Sequence, residues 1–160
     1  MTITSPGPTH SAEEIVPVLK AHGLKATPQR LAVHQAMISL GHASADQVAD
    51  FINRNNSTKI TTASIYNVLY QFCELGIYAP RHSGNNKMYF DVNTCPHIHL
   101  YDKENDSYMD VMDEELISFI DEHLRKKRIK GYKFEGFELN IVARQRKKKV
   151  QYNYLQNIEL

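Results

Sequence analysis

The chain has 160 residues, of which 42% are hydrophobic, and a formal net charge of +1. That composition allows one ordinary domain or two small ones with a packed core, and it argues against global disorder. No apolar run approaches the roughly 18 residues of a membrane span, the opening "MTITSPGPTHSAEE" lacks the basic and apolar regions of a secretory signal, and the two cysteines, Cys73 and Cys95, form no CxxC pair. A disulfide scaffold is therefore disfavoured, and a reducing cytoplasm is the expected location.

Residues 1–10 read as a flexible leader. A first helix is expected near Ser11, with Glu14 completing a capping box and Ile15, Val18 and Leu19 facing inward. It should end near Gly23. Thr27 can cap a second helix, with Pro28 at its first position and Val33, Ala36, Met37 and Leu40 at helical spacing. Gly41 stops it. Ser44 and Gln47 form another capping box before a third helix, which buries Val48, Phe51 and Ile52.

The fourth helix, roughly 62–75, buries Ile65, Val68, Leu69 and Phe72. Its other side carries Thr62, Ala63, Ser64, Tyr66, Asn67, Tyr70 and Gln71, and no formal charge occurs from Ile60 to Cys73. Solvated helix faces are usually rich in Lys and Glu. A face of hydroxyl, amide and phenol groups suits groove contacts with bases and phosphates; a protein partner is the other reading. "IYAPRHSGNNKMYFDV" then alternates about a Ser-Gly-Asn-Asn turn, as a β-hairpin does. Helices followed by such a hairpin make a winged helix-turn-helix, with Arg81 and Lys87 on the wing in reach of phosphate.

After Asp91 the character changes. "HIHLY" and "SYMDV" read as strands joined by the polar loop "DKEND". "DEELISFIDEHLRKKR" reads as an amphipathic helix with Leu116, Phe119, Ile120 and Leu124 inward, its acids first and bases last, to match the helix dipole. "FEGFELNIVA" reads as a further strand. Such a small unit exposes strand edges, which a second copy would cover. The expected organisation is α+β: a leader at 1–10, a winged-helix DNA-binding domain at 11–91, a small α/β dimerisation domain at 92–145 and a basic, polar tail at 146–160. Charge is polarised within it. Residues 101–122 hold nine acids and one lysine, residues 123–150 hold eleven Lys or Arg and two Glu, and the first 91 residues hold seven basic and six acidic. Net charge alone thus gives no nucleic-acid signal.

His97 and His99 are two apart in a strand and so point to the same side, as chelation needs. The hairpin returns Asp110 towards them, and Asp91 and His42 are further donors. Imidazole with carboxylate favours Fe(II), Mn(II) or Zn(II). The spacing alone also fits surface histidines. His10, His22, His34, His82 and His123 have no such company and read as non-ligands.

Several separated stretches, in order, resemble the ferric uptake regulator family: "LKATPQR", "GHASADQV", "TTASIYNVLYQFCELGI" and "YFDV…HIH…MDV". The likeness covers about Leu24 to Ala143. It implies a homodimeric, metal-dependent regulator, most simply a repressor, that binds double-stranded operator DNA through the fourth helix. It places the regulatory metal, Fe(II) or Mn(II) with Zn(II) possible in vitro, on His42, Asp91, His97, His99 and Asp110. The set of two aspartates and three histidines resembles the peroxide-sensing branch, because aspartate stands at 110 where iron-uptake sensors commonly carry glutamate. In that branch, iron-catalysed oxidation of a ligand histidine releases DNA, which makes His42 and His97 the oxidation-sensitive positions.

The chain departs from the family in two respects. The structural zinc held by two CxxC pairs is absent: the first pair would fall at Asp102 and Asn105, and "VARQRKKK" offers no second. Phe137 stands where an additional site often uses histidine, so no complete second site of that type is expected. Cys95 reads as a small, partly buried linker residue, and Cys73 as a core residue. Three other readings remain: an iron- or manganese-responsive repressor without peroxide sensing, a metal-independent winged-helix interaction module, and a hydrolytic metal enzyme. Neither a membrane nor a small organic substrate is implied.

Overall fold

A computed structural model of the protein describes residues 9–55, 59–82 and 87–144. The elements run in the order α1 (Ile15–Ala21), α2 (Pro28–Leu40), β1 (His42–Ala43), α3 (Ala45–Asn55), α4 (Thr62–Glu74), β2 (Ala79–His82), β3 (Met88–Asp91), β4 (Ile98–Asp102), β5 (Ser107–Val111), α5 (Glu114–Arg125) and β6 (Leu139–Ala143). This is an α+β fold: a helical unit with a β-wing, then a small α/β unit. No helix among the described residues is long and apolar enough to cross a membrane.

Local chemistry sets the helix ends. The capping box of Ser11 and Glu14 forms in both directions, at 2.8 and 3.3 Å, but regular helix begins only at Ile15. Thr27 accepts from the Arg30 amide at 3.3 Å, with Pro28 at the first helical position. Gly41 ends α2 at φ 71°, a conformation that costs a residue with a Cβ. Ser44 and Gln47 cap α3 reciprocally, and Thr61 accepts from the Ser64 amide at the start of α4.

The helices bury one core that includes Ile15, Leu19, Val33, Met37, Val48, Ile52, Ile65, Leu69 and Phe72, with Phe90 from β3 and Tyr78 beside it. His34 lies inside this core without an orphaned nitrogen. Its Nδ1 is 2.7 Å from the Tyr78 hydroxyl, and its Nε2 is 3.2 Å from the Ser11 carbonyl. A neutral ring that accepts from Tyr78 and donates to Ser11 satisfies both contacts. Burial lowers its pKa, outweighing the hydrogen bond to Ser11.

Two three-stranded sheets follow. In the first the order is β1-β3-β2, both pairings antiparallel. In the second it is β5-β4-β6, with β4 antiparallel to β5 and parallel to β6. Tyr89 of the first sheet packs edge-on against Tyr108 of the second, at 5.4 Å between centroids. Its hydroxyl donates to the Asp106 carbonyl of the β4–β5 loop at 3.4 Å.

Several expectations from sequence need correction. The hairpin expected in the first half gains a third, two-residue strand, β1, which carries His42. Thr9, assigned to the leader, is tied to the segment after β3: its amide donates to Val92 and its hydroxyl accepts from the Thr94 amide. Strand β6 spans only Leu139–Ala143, because residues 134–138 make no ladder bonds. Helix α5 has no fully buried residue, and Phe119 is 66% exposed: among the described residues no element forms a second layer over that side. The Ser-Gly-Asn-Asn turn at 83–86, residues 1–8 and the basic tail lie outside the described residues.

Candidate metal centre

Each sheet sets a histidine opposite an aspartate. In β1–β3, His42 is the register partner of Asp91; in β4–β5, His99 is the partner of Asp110. Directly paired residues project to the same face of a sheet. His97, just before β4, completes the group. Ligand atoms of His42, Asp91, His97, His99 and Asp110 all lie within 4.8 Å of one another.

The distances have the scale of a coordination shell. His42 Nε2 is 3.2 Å from Asp91 Oδ2 and 3.1 Å from Asp110 Oδ1; His97 Nε2 is 3.2 Å from each of the same oxygens. His99 sits slightly further out, with Nε2 at 3.9 Å from Asp91 and Nδ1 at 3.5 Å from Asp110. Donors bound at roughly 2.1 Å and at right angles around one ion stand roughly 3 Å apart.

The fit rests on unsatisfied atoms. His42 Nε2, Asp91 Oδ2, His97 Nε2, both ring nitrogens of His99 and Asp110 Oδ1 are buried without a hydrogen-bond partner. Such atoms are costly unless something else pairs with them. The opposite ends of two ligands are fixed. Asp91 Oδ1 accepts from the Asn93 amide at 2.7 Å, which leaves Oδ2 for the centre. His97 Nδ1 donates to the Cys95 carbonyl at 2.6 Å, which leaves the Nε2 lone pair inward. Tyr108 packs on both His42 and His99.

Charge is shared within the group. Burial acts to raise the Asp91 carboxyl, but the facing His42 and His97 rings overcome it and hold that group well below the usual carboxylate range. Burial is likewise outweighed at Asp110 by His97 and His99, which hold it at about 2. Burial would lower His97, yet the Asp110 and Asp91 carboxylates hold it up at about 10. A cleft of about 740 Å³ reaches the centre, lined by Arg81, Cys95, His97, His99, Ile117 and Glu138 among others.

All five metal positions expected from sequence come together. On α4, Thr62, Ala63, Tyr66, Asn67 and Tyr70 are exposed and Ser64 is half-buried. Tyr66 and Tyr70 stack at 6.2 Å between centroids. Lys87 is exposed on the wing, but Arg81 is not placed for phosphate. Its guanidinium turns inward to Glu138 and to Asp91, because buried negative charge lies on that side. Cys95 is exposed, contrary to expectation, whereas Cys73 is half-buried, and burial pushes its thiol up to about 12. Sequence reasoning missed Tyr108 and Asn93. The Asp91-x-Asn93 spacing was the available signal for the second, since Asp side chains commonly bond the amide two residues on.

The profile of the Ferric uptake regulator family matches residues 21–142. The peroxide-responsive repressor of Staphylococcus epidermidis is 34% identical over 92 residues, which span 57% of this chain and 61% of that protein. The chain therefore matches less than two thirds of the length of such curated relatives. The crystal structure of the Campylobacter jejuni peroxide stress regulator superposes with a TM-score of 0.62 at 27% identity, over 84% of this chain and 98% of that one. The Vibrio cholerae ferric uptake regulator gives a TM-score of 0.68 at 22% identity, over 82% and 99%, a likeness of fold. With the profile covering most of the chain and five donors converging, the protein belongs to the ferric uptake regulator family.

Proposed function

We propose that this chain is a cytoplasmic, homodimeric, metal-dependent repressor of transcription that senses hydrogen peroxide through bound Fe(II). The observation that carries the reading is the convergence of five buried donors, without hydrogen-bond partners, from both sheets. His42 and Asp91 come from the first sheet. His97, His99 and Asp110 come from beside and within the second. Ligands divided in this way couple the orientation of α4 to the second unit.

On this reading residues 11–91 bind double-stranded operator DNA through Thr62, Ala63, Ser64, Tyr66, Asn67 and Tyr70, with Lys87 on the wing. Residues 92–145 hold the dimer, and the uncovered apolar side chains Met109, Phe119 and Val142 support a second copy there. Five nitrogen and oxygen donors without thiolate suit Fe(II) or Mn(II), and Zn(II) can take such a site in vitro. Bound Fe(II) would promote cleavage of hydrogen peroxide beside the His42 and His97 rings, so that one peroxide oxygen replaces a ring hydrogen as hydroxyl and the other leaves as water. Oxygen added to either ring would spoil its Nε2 donor and free the first sheet from the second. Asp110 and the 34% identity to peroxide-responsive repressors support the peroxide reading.

The test is anaerobic loading with Fe(II), a small excess of hydrogen peroxide, and peptide mass spectrometry with a Mn(II) control. One added oxygen on His42 or His97, in the iron sample alone, is expected. Bound iron without histidine oxidation would leave an iron- or manganese-responsive repressor.

A further inference from the structure

Arg81 leaves β2 towards the protein interior, although it sits on the hairpin. Its Nη1 is ion-paired with Glu138, just ahead of β6, and its Nε lies 3.8 Å from Asp91 Oδ2. The Arg81 side chain is 19% exposed and that of Asp91 is fully buried. Arg81 Nε has no hydrogen-bond partner, so its contribution at Asp91 is charge, not a bond. Glu138 is 57 residues away in sequence and belongs to the other unit. Both residues line the cleft that reaches His97 and His99.

A fixed cation at this point has a definite electrostatic consequence. The Asp91 and Asp110 carboxylates carry the negative charge of the centre. Arg81 stabilises that charge most when no divalent ion neutralises it. An incoming ion therefore gives up part of the Arg81 interaction and also meets a like charge. We propose that Arg81 is an affinity-setting residue of the metal centre: its charge beside Asp91 limits how tightly a divalent cation binds, and Glu138, from across the cleft, moderates that charge. Glu138 takes part by engaging one arm of the guanidinium and keeping the side chain from leaning wholly on Asp91. The proposal rests on the five-donor reading of the centre.

The test is Mn(II) titration of the full chain by isothermal calorimetry at low and moderate salt, with cooperative melting as a check on folding. Arg81→Gln should tighten Mn(II) binding about tenfold or more, with a larger effect at low salt. Arg81→Lys, which keeps the charge, should stay within about threefold of wild type. Glu138→Gln should weaken binding about threefold, and should add nothing once Arg81 is Gln. Unchanged or weaker binding in Arg81→Gln overturns the proposal, as does equal behaviour of the Gln and Lys variants. If Arg81→Gln does not fold, Glu138→Gln decides: unchanged or tighter binding overturns the proposal. A wild-type chain that binds no Mn(II) overturns the five-donor reading and this proposal together. Wild-type binding with no response to Arg81 overturns this proposal alone.

Discussion

His42→Ala removes the one donor that the α2–α3 connection supplies, and with it both approaches of about 3 Å to the Asp91 and Asp110 carboxylates. Changes in outer-shell partners of a metal cost about 10- to 100-fold in affinity, so loss of a direct ligand is expected to cost at least about 100-fold. With free Mn(II) at about 100 times the wild-type Kd, binding stabilises the folded chain by about 2.7 kcal/mol. At the same Mn(II) concentration the variant stands near its own Kd and gains about 0.4 kcal/mol. The difference, about 2.3 kcal/mol, corresponds to about 5–9 °C in Tm for a chain of this size. The assay is scanning calorimetry of each protein in Mn(II) and in EDTA at fixed protein concentration. Reading the gap between the two scans cancels any cost of the substitution to the metal-free fold. A gap as large as that of wild type would refute the assignment of His42 as a ligand.

Tyr66→Ala and Asn67→Ala should each lower operator affinity by about 1–3 kcal/mol at unchanged Mn(II) affinity; unchanged binding in a gel-shift titration would remove this face of α4 from the DNA contact. Asp110→Glu should keep metal-dependent DNA binding but blunt peroxide sensitivity, and undiminished release of DNA by peroxide would remove Asp110 as the determinant. His34 has a folded-state pKa below its ordinary 6.5, so its stabilising effect is complete above about pH 6.5 and is lost as pH falls from there through the folded-state value. Urea midpoints in EDTA should therefore fall less between pH 7 and pH 5 in His34→Gln than in wild type, and equal slopes would count against a buried neutral ring.

The helical half was legible because its signals are local. Thr27 before Pro28, Ser44 three residues before Gln47, and apolar positions at helical spacing need no knowledge of distant contacts. The pairing of His97 with His99 was equally local. What spacing alone could not establish was that His42 and Asp91 face the same point. That depends on a strand of two residues, too short to show any periodicity, which aligns His42 with Asp91 across a ladder. Arg81 was misread for a related reason. A basic residue on a wing suggests phosphate, but its direction is decided by Asp91 and by Glu138, which is distant in sequence. Phe119 has the spacing of an inward residue, and the surface that covers such a side need not come from the same chain.

The account stands on one ion bound by five side chains. The most direct measurement is a crystal structure of the Mn(II)-loaded protein with anomalous diffraction recorded at the manganese edge. The account predicts one anomalous peak per chain within coordination distance of His42, Asp91, His97, His99 and Asp110. Manganese bound at other residues, with none among these five, would contradict it.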